Sequence, residues 1–372
     1  MKALFWIAAG FIVYAYLGYP CWLWIRQRLH SAPVQRAGVA PSISIVMVVR
    51  NEAGVVDAKL RNLLALDYPA EKLEIVVVSD ASTDDTNEIL THYAKNYAVK
   101  FIPVPGRAGK AAGLNHAIAA AHGEIVVFTD ARQNLESSAV RLLLENFADP
   151  TVGCASGELM LGDPASGESG QGMGLYWRVE KLVRELESAS GSVVGATGAI
   201  YAVRRDLLTP LKPGTILDDV LIPMNVVRQG ARVVFDARAR AWDSPNLGTE
   251  REFARKVRTL GGNYQLLQLS PWLLTRANPI RFEFVSHKLL RLVAPFALLL
   301  ILLSSLLLRQ PVYRAALLLQ AMFYGLSLLK LGGLVRGPLA RVGDAALTFV
   351  VLNTAAVVAF ANFITGRKAV WT

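Results

Sequence analysis

The chain has 372 residues, of which 53% are hydrophobic and 18% charged, with a mean hydropathy of +0.36. An average soluble domain carries about 25% charged residues, so part of this chain is solvated by lipid, and disorder, collagen and coiled coil are excluded. The formal charge of +10 leaves nucleic acid or an anionic membrane surface open as partners until the basic residues are located.

The first predicted element is an uncharged, largely apolar run over 3–24, followed by Arg26 and Arg28. At about 1.5 Å per residue it is long enough to cross a hydrocarbon core of about 30 Å. A cleaved signal peptide has a shorter apolar region and a small-residue cleavage site. This run ends in Pro20-Cys21-Trp22-Leu23-Trp24 and reads as a retained anchor. Basic residues on its C-terminal side predict the N-terminus outside and the central region in the cytoplasm. Cys21 and Cys154 form no disulfide framework and no metal or redox spacing.

The centre then alternates strands and helices. Residues 42–49, 74–78 and 124–128 are β-branched runs of strand length, and 55–66, 84–97 and 110–121 have helical patterns between them. Near-continuous apolar strands suit a parallel sheet covered on both faces. Each strand runs into a polar cluster: Arg50-Asn51-Glu52, then Ser79-Asp80-Ala81-Ser82-Thr83-Asp84, then Thr129-Asp130-Ala131-Arg132. One such cluster reads equally well as a solvated loop or a helix cap. Three at the carboxyl edge of one sheet converge on a ligand crevice. Neither a Walker A sequence nor G-x-G-x-x-G follows the first strand, which argues against a P-loop ATPase and a Rossmann dehydrogenase. Gly106-Arg107-Ala108-Gly109-Lys110 is a glycine-rich basic turn opening a helix, suited to a phosphate but also to a plain surface turn.

Further along, Asp218-Asp219 precede a helical pattern over 220–229 and read both as a helix start and as a carboxylate pair. The histidines show no metal spacing, and His116 and His122 read as ordinary helix and loop residues. Residues 263–288 are amphipathic and aromatic, as expected of an interfacial segment. Three further apolar segments, 289–308, 315–334 and 345–365, approach spanning length. Four spans would put Arg309, Arg314, Arg367 and Lys368 on the outer side, against the positive-inside tendency, so a re-entrant or interfacial C-terminal segment stays open. Few ionisable residues fall inside these segments, which argues against a transporter. The scattered basic residues, with no aromatic platform, argue against nucleic acid.

In order and spacing, these motifs resemble the membrane-bound family 2 glycosyltransferases, which include cellulose, hyaluronan and poly-N-acetylglucosamine synthases and ceramide glucosyltransferase. The likeness covers about residues 42–268. It implies a GT-A nucleotide-sugar-binding fold, an α/β domain with a mixed, mostly parallel sheet and helices on both faces, flanked by transmembrane helices. The expected organisation is an anchor over 1–28, a cytoplasmic catalytic domain over 29–262, the interfacial segment over 263–288 and a membrane region over 289–372.

The resemblance assigns residues as well. Glu52 and Asp80 would hold the nucleoside, and Lys110 with Asn115 would form the G-K-x-x-x-L-N element. Asp130 would open the D-x-D motif and ligate Mg2+ or Mn2+ on the diphosphate. Gly198, followed by Arg204-Arg205, would line the acceptor side. Asp219 would be the catalytic base, with Asp218 beside it, and Arg255 and Arg258 would occupy the Q-x-x-R-W element. Two motifs depart from the family pattern. Arg132 replaces the second aspartate of D-x-D, removing one expected metal ligand and leaving Arg132 either to take over part of the metal's electrostatic role or to form a structural ion pair. Arg255 and Thr259 replace the glutamine and tryptophan of Q-x-x-R-W, which weakens the case for processive polymerisation.

The function so implied is inverting hexosyl transfer from a nucleotide sugar, UDP-linked by expectation, to a glycan acceptor presented at the bacterial inner membrane. The alternatives are transfer of a single sugar to a ceramide, diacylglycerol or polyprenyl phosphate, and an inactive sugar-nucleotide-binding scaffold.

Overall fold

The computed structural model describes residues 1–162, 174–243, 249–337 and 339–367. Lys2–Leu29 is one helix, made of α1 (Lys2–Val13), a π turn (Tyr14–Gly18) and α2 (Tyr19–Leu29). The predicted anchor therefore runs past residue 24 and carries Arg26 and Arg28 in its last turn.

The central domain begins with β1 (Ile43–Val49), α3 (Ala53–Leu64), β2 (Leu73–Asp80), α4 (Thr86–Asn96), β3 (Val99–Val104), α5 (Lys110–Ala120) and β4 (Ile125–Phe128). The three predicted strands and helices fall within a few residues of these bounds. It continues through β5 (Asn134–Leu135), α6 (Ala139–Leu144), β6 (Val152–Leu161), α7 (Leu175–Ser190), β7 (Tyr201–Arg204), α8 (Asp218–Arg228), β8 (Arg232–Asp243) and α9 (Thr249–Leu269).

The strands form one sheet in the order β3-β2-β1-β4-β7-β6-β8-β5. β3, β2, β1 and β4 are mutually parallel. β7 is antiparallel to both β4 and β6, and β8 lies parallel to β6. At the β4–β7 seam Phe128 faces Tyr201 in register, and their rings stack with centroids 4.5 Å apart.

Successive strand residues point to opposite faces. β1 therefore gives Ile43, Ile45, Met47 and Val49 to one core, with Val56, Leu60 and Leu63 of α3 and Val140 and Leu143 of α6. Val46 and Val48 go to the other, with Leu114 of α5, Leu221 and Met224 of α8, and Phe284. Both faces are dry, which is why the strands read as continuous apolar runs. Each fully buried aliphatic side chain contributes about 1.5–3 kcal/mol. A Cβ on Gly113 would lie 2.6 Å from Val48 Cγ1, so the glycine lets α5 lie close on β1.

The remaining elements are α10 (Arg281–Phe284), a π turn (Val285–Leu289), α11 (Leu290–Leu307), α12 (Pro311–Leu331) and α13 (Leu339–Ile364). Among the described residues, four helices are long and apolar enough to cross a membrane: Lys2–Leu29, Arg281–Leu307, Pro311–Leu331 and Leu339–Ile364.

The segment 263–288 is not one element. Residues 263–269 end α9, Pro271–Leu274 is a 3-10 turn, and the helix through Leu307 already begins at Arg281. The reason is local: Asn278 Oδ1 accepts the Ile280 N–H at 3.1 Å, and Asn278 Nδ2 donates to the Leu273 carbonyl at 2.8 Å, closing the turn. His287, near the end of this segment, is buried within the protein.

Candidate active site

The loops leaving β1 and β2 interlock. Asn51 Oδ1 accepts the Thr83 N–H at 2.8 Å, Ser82 Oγ accepts the Asn51 N–H at 3.1 Å, and Asp84 Oδ2 accepts the Ala53 N–H at the start of α3 at 3.1 Å. Asn51 and Ala81 both have φ of 52°, a backbone region that costs an alanine roughly 1–3 kcal/mol. The strained residues thus line the carboxyl edge of the sheet.

Asp80, at the end of β2, is fully buried. Its Oδ1 accepts the Ala108 N–H at 2.7 Å, and its carboxylate also accepts the Gly109 N–H. Asp80 thereby shapes the glycine turn from behind. Gly109 takes φ of 84° as the residue before α5, and Lys110 opens the helix. Asn115 is committed to the backbone of Leu211, donating to its carbonyl and accepting its N–H, each at 2.8 Å. Both residues build the wall that carries Lys110.

Lys110 is the centre of the site. Its Nζ lies 3.0 Å from Asp130 Oδ1 and 3.2 Å from Asp218 Oδ2. Burial disfavours this ammonium, yet Asp130, Asp218 and Asp219 outweigh burial and hold its pKa above the ordinary lysine value. Asp218 and Asp219 form the first turn of α8, so the helix-start and carboxylate-pair readings both hold. Burial, then the neighbouring Asp218, push Asp219 up to about 6, and burial raises Asp218 as well. Gly198 lies between the two loops: a Cβ there would sit 3.4 Å from Asp130 Oδ2 and 3.6 Å from Asp219 Oδ2.

Arg132 pairs with Glu52, its terminal nitrogen 3.3 Å from Glu52 Oε1. Burial nevertheless keeps the Glu52 carboxyl above its usual range. The ion-pair alternative for Arg132 is thus the one the geometry displays. Arg204 donates to the carbonyls of Val152 and Phe147, both at 2.8 Å, and braces the sheet. Arg255 approaches Asp243 at 3.7 Å, and Asp243 accepts from Gln133 of the Asp130 loop at 3.1 Å. Arg258 lies on the same helix, α9, and is partly buried. Among the described residues no hydrogen bond or ion pair joins it to the Lys110 cluster.

Two residues of the site had no signal in the linear pattern. Lys59 of α3 is buried beneath the Asp130 loop and donates to Thr129 Oγ1 at 2.9 Å and to the Gln133 carbonyl at 2.6 Å. Burial pushes its pKa down to about 7, against the pull of Asp130. Tyr201 is buried with its hydroxyl unpartnered, and burial followed by Asp218 and Asp219 holds that hydroxyl in its neutral form.

Among the described residues no three His, Cys, Asp or Glu side chains form a metal cage. Divalent ions in phosphate chemistry are commonly held by one or two carboxylates plus the phosphates themselves. Asp130, whose side chain is 41% exposed, fits that use, whereas Arg132 cannot ligate.

Residues 44–210 match the family model described as glycosyl transferase family 2. A poly-beta-1,6-N-acetyl-D-glucosamine synthase of Staphylococcus epidermidis is 24% identical over 234 residues, covering 62% of this chain and 56% of that one. The synthase of the same name from Staphylococcus aureus MSSA476 is 24% identical over 222 residues, covering 59% and 53%. The chain thus spans about half the length of the curated relatives it matches. The mannosyltransferase PcManGT from Pyrobaculum calidifontis, solved with GDP-Man and Mn2+, is 23% identical with a TM-score of 0.75, covering 98% of this chain and all of that one. That likeness speaks to the fold, from the first helix to the last. Residues 44–210 thus match a glycosyltransferase family 2 domain, and they sit in a fold shared with that mannosyltransferase and flanked by apolar helices.

Proposed function

We propose that this chain is an inverting, membrane-embedded glycosyltransferase that moves a hexosyl unit from a nucleotide sugar to a hydroxyl presented at the membrane. The observation that carries the reading is the Lys110 ammonium held 3.0 Å from Asp130 and 3.2 Å from Asp218, with Asp219 on the same turn. It sets a cation for a diphosphate beside a carboxylate suited to take a proton. The names of the relatives support a nucleotide-sugar donor and a glycan product.

In the reaction the acceptor oxygen attacks the anomeric carbon from the face opposite the diphosphate. The bond between that carbon and the diphosphate oxygen breaks with its electron pair, and Asp219 takes the acceptor's proton. A carboxylate with its pKa raised towards neutrality holds that proton better than an ordinary aspartate. Lys110 meets the charge that develops on the leaving diphosphate, in place before the reaction begins. A divalent ion held by Asp130, Mg2+ or Mn2+, would neutralise the same charge. Lys59, behind the loop, fixes Thr129 and Gln133 on either side of Asp130 and so sets where that carboxylate stands.

The basic end of α2 supports a cytoplasmic catalytic domain at the bacterial inner membrane. Polymer synthesis is the first reading of the product. Single-sugar transfer to a lipid is the second, favoured by Thr259 at the position where the processive enzymes have tryptophan.

The test is nucleotide release by the purified full chain across UDP- and GDP-sugars, with and without Mg2+ or Mn2+, followed by product sizing. A ladder from one donor supports polymerisation, and a single lipid-linked product supports the second reading. Release by Asp219→Asn equal to that of the natural chain, or release from no donor, overturns the proposal.

A further inference from the structure

A second charged cluster lies where α2, α7 and the helix Arg281–Leu307 meet. His287 is buried, with Nδ1 2.8 Å from Glu187 Oε1 and Nε2 3.0 Å from Glu180 Oε1. Each nitrogen of the ring thus faces a carboxylate of α7. Arg291 donates to Glu180 Oε2 at 2.6 Å, and Arg184 approaches Glu180 Oε1 at 3.4 Å. Burial alone would lift the Glu180 and Glu187 carboxyls, but His287, together with Arg291 and Arg184 at Glu180 and with the Tyr19 hydroxyl and Val194 N–H at Glu187, outweighs it and holds both below their usual range. Both therefore stay ionised, fixed between the catalytic domain and the apolar helices.

Glu187 has connections beyond this cluster. Its Oε1 also accepts the Tyr19 hydroxyl of α2 at 2.6 Å, and its Oε2 accepts the Val194 N–H at 3.2 Å. Val194 opens the loop that leads to Gly198. Gly195 follows with φ of 96°, and a Cβ there would meet Val220 Cγ2 at 3.1 Å, so this loop lies directly on the first turn of α8. The Ala196 N–H then donates to the Asp219 carbonyl at 2.7 Å, and the Thr197 N–H donates to Ser156 Oγ at 3.0 Å. A single short strap thus runs from a carboxylate held by the apolar helices to the peptide of Asp219, and ends beside the Asp130 and Asp219 carboxylates.

We propose that Glu187 is a positioning residue through which the membrane helices fix the loop 193–198 and, with it, the orientation of Asp219 towards the acceptor. The proposal rests on the reading of Asp219 as the base. Removing the carboxylate frees the Val194 N–H and leaves His287 with one acid instead of two. The donor side, built on Lys110, Asp130 and Asp80, has no bond to Glu187.

Hydrogen exchange on the full-length protein in detergent micelles reads the strap without any substrate. Glu187→Ala is expected to speed exchange of the 193–198 amides at least tenfold while leaving α5 unchanged. Glu187→Gln keeps an acceptor oxygen for Val194, and its exchange is expected to stay within about threefold of the natural chain. In nucleotide release with the donor found active, Glu187→Ala is expected to lower kcat about 10- to 100-fold, the cost of misplacing a reacting group by about 1 Å, with donor KM within twofold. Glu187→Gln is expected to recover most of that loss. If Glu187→Ala does not fold, Glu187→Asp withdraws the carboxylate from Val194 and carries the same expectations. Unchanged exchange in the loop, or a fall in kcat matched by a rise in donor KM, overturns the proposal. Asp219→Asn, measured in parallel, separates the two readings. If it turns over normally, the base assignment fails. If it is inactive while Glu187→Ala matches the natural chain in both readouts, only this inference fails.

Discussion

Asp219→Asn is expected to make the protein more stable while abolishing its activity. In the folded chain, burial first and Asp218 second displace the Asp219 carboxyl from 3.8 to about 6. At neutral pH the group is ionised in both folded and unfolded states, and the displacement corresponds to about 3 kcal/mol of unfavourable ionisation in the folded state. Asp219 keeps part of its surface open to the crevice, so solvent screens some of this and we expect a gain of about 1–2 kcal/mol. For a domain of this size that is a rise of roughly 2–8 °C in Tm. The sign follows from proton binding. Between pH 3.8 and about 6 the folded state holds more protons than the unfolded one, so the natural chain loses stability as pH rises through that window, and Asp219→Asn does not. Loss of a general base costs about 100- to 10,000-fold in turnover. Natural-chain turnover should also fall as pH drops below about 6, as the base becomes protonated. The assay pairs thermal unfolding of the detergent-solubilised protein from pH 4 to pH 8 with nucleotide release. A variant with lowered Tm at pH 7.5, or one retaining turnover within tenfold, would refute this account of Asp219.

Lys110→Met leaves Asp130, Asp218 and Asp219 without their shared cation. Nucleotide release is expected to fall at least about 100-fold, and Tm should drop at neutral pH and partly recover at lower pH, where the buried acids take up protons. Gly198→Ala places a methyl group 3.4 Å from Asp130 Oδ2 and 3.6 Å from Asp219 Oδ2, ordinary contact distances that the fold tolerates. Donor affinity by calorimetry should change less than twofold, while transfer falls more than tenfold because the room beside the base is filled. Arg132→Ala removes the partner of Glu52, so donor KM is expected to rise several-fold while dependence on divalent ions is retained. EDTA should abolish release from both proteins and excess Mn2+ restore it; full turnover in EDTA would show that Asp130 holds no essential ion.

What was legible in the chain depended on how each residue is solvated. β1, β2 and β4 were readable because both faces of each are dry, which forces continuous apolar runs. β6 and β8 were not predicted. They carry Glu158, Asp236, Arg238 and Arg240 among their apolar residues; Asp236 and Arg238 pair within β8 at 2.8 Å, while Lys181 at 2.9 Å from Glu158 and Glu145 at 2.9 Å from Arg238 arrive only on folding. In the site, Asp130, Gly198 and Asp218-Asp219 stood out through order and spacing, and the fold brings them around Lys110. Lys59 gave no such signal, since a lysine at helical spacing reads as a solvated residue until Thr129 and the Gln133 carbonyl are placed over it. Asp80 and Asn115 were expected to bind substrate, and in the fold their polar groups bond backbone behind Lys110. His287 illustrates the same limit, because its partners Glu180 and Glu187 lie about 100 residues away in the chain.

The reversal of strand direction at the β4–β7 seam divides the catalytic domain into two inheritances. On the proposed reading, every group that recognises the donor, from Glu52 to Asp130, belongs to the parallel half and precedes the seam in the chain. On the same reading the groups that face the acceptor, Gly198 and Asp219, come from the part that follows the seam in the chain, which also holds the strap to the membrane helices. The halves meet along the β4–β7 ladder, where Phe128 stacks on Tyr201, in the core that joins Val46 and Val48 to Leu221 and Met224, and around Lys110. On that reading, mutation after the seam can explore new acceptors while the part that reads the sugar nucleotide is kept, and the reverse. Chimeras joined between residues 130 and 150 should therefore inherit donor preference from one parent and acceptor preference from the other.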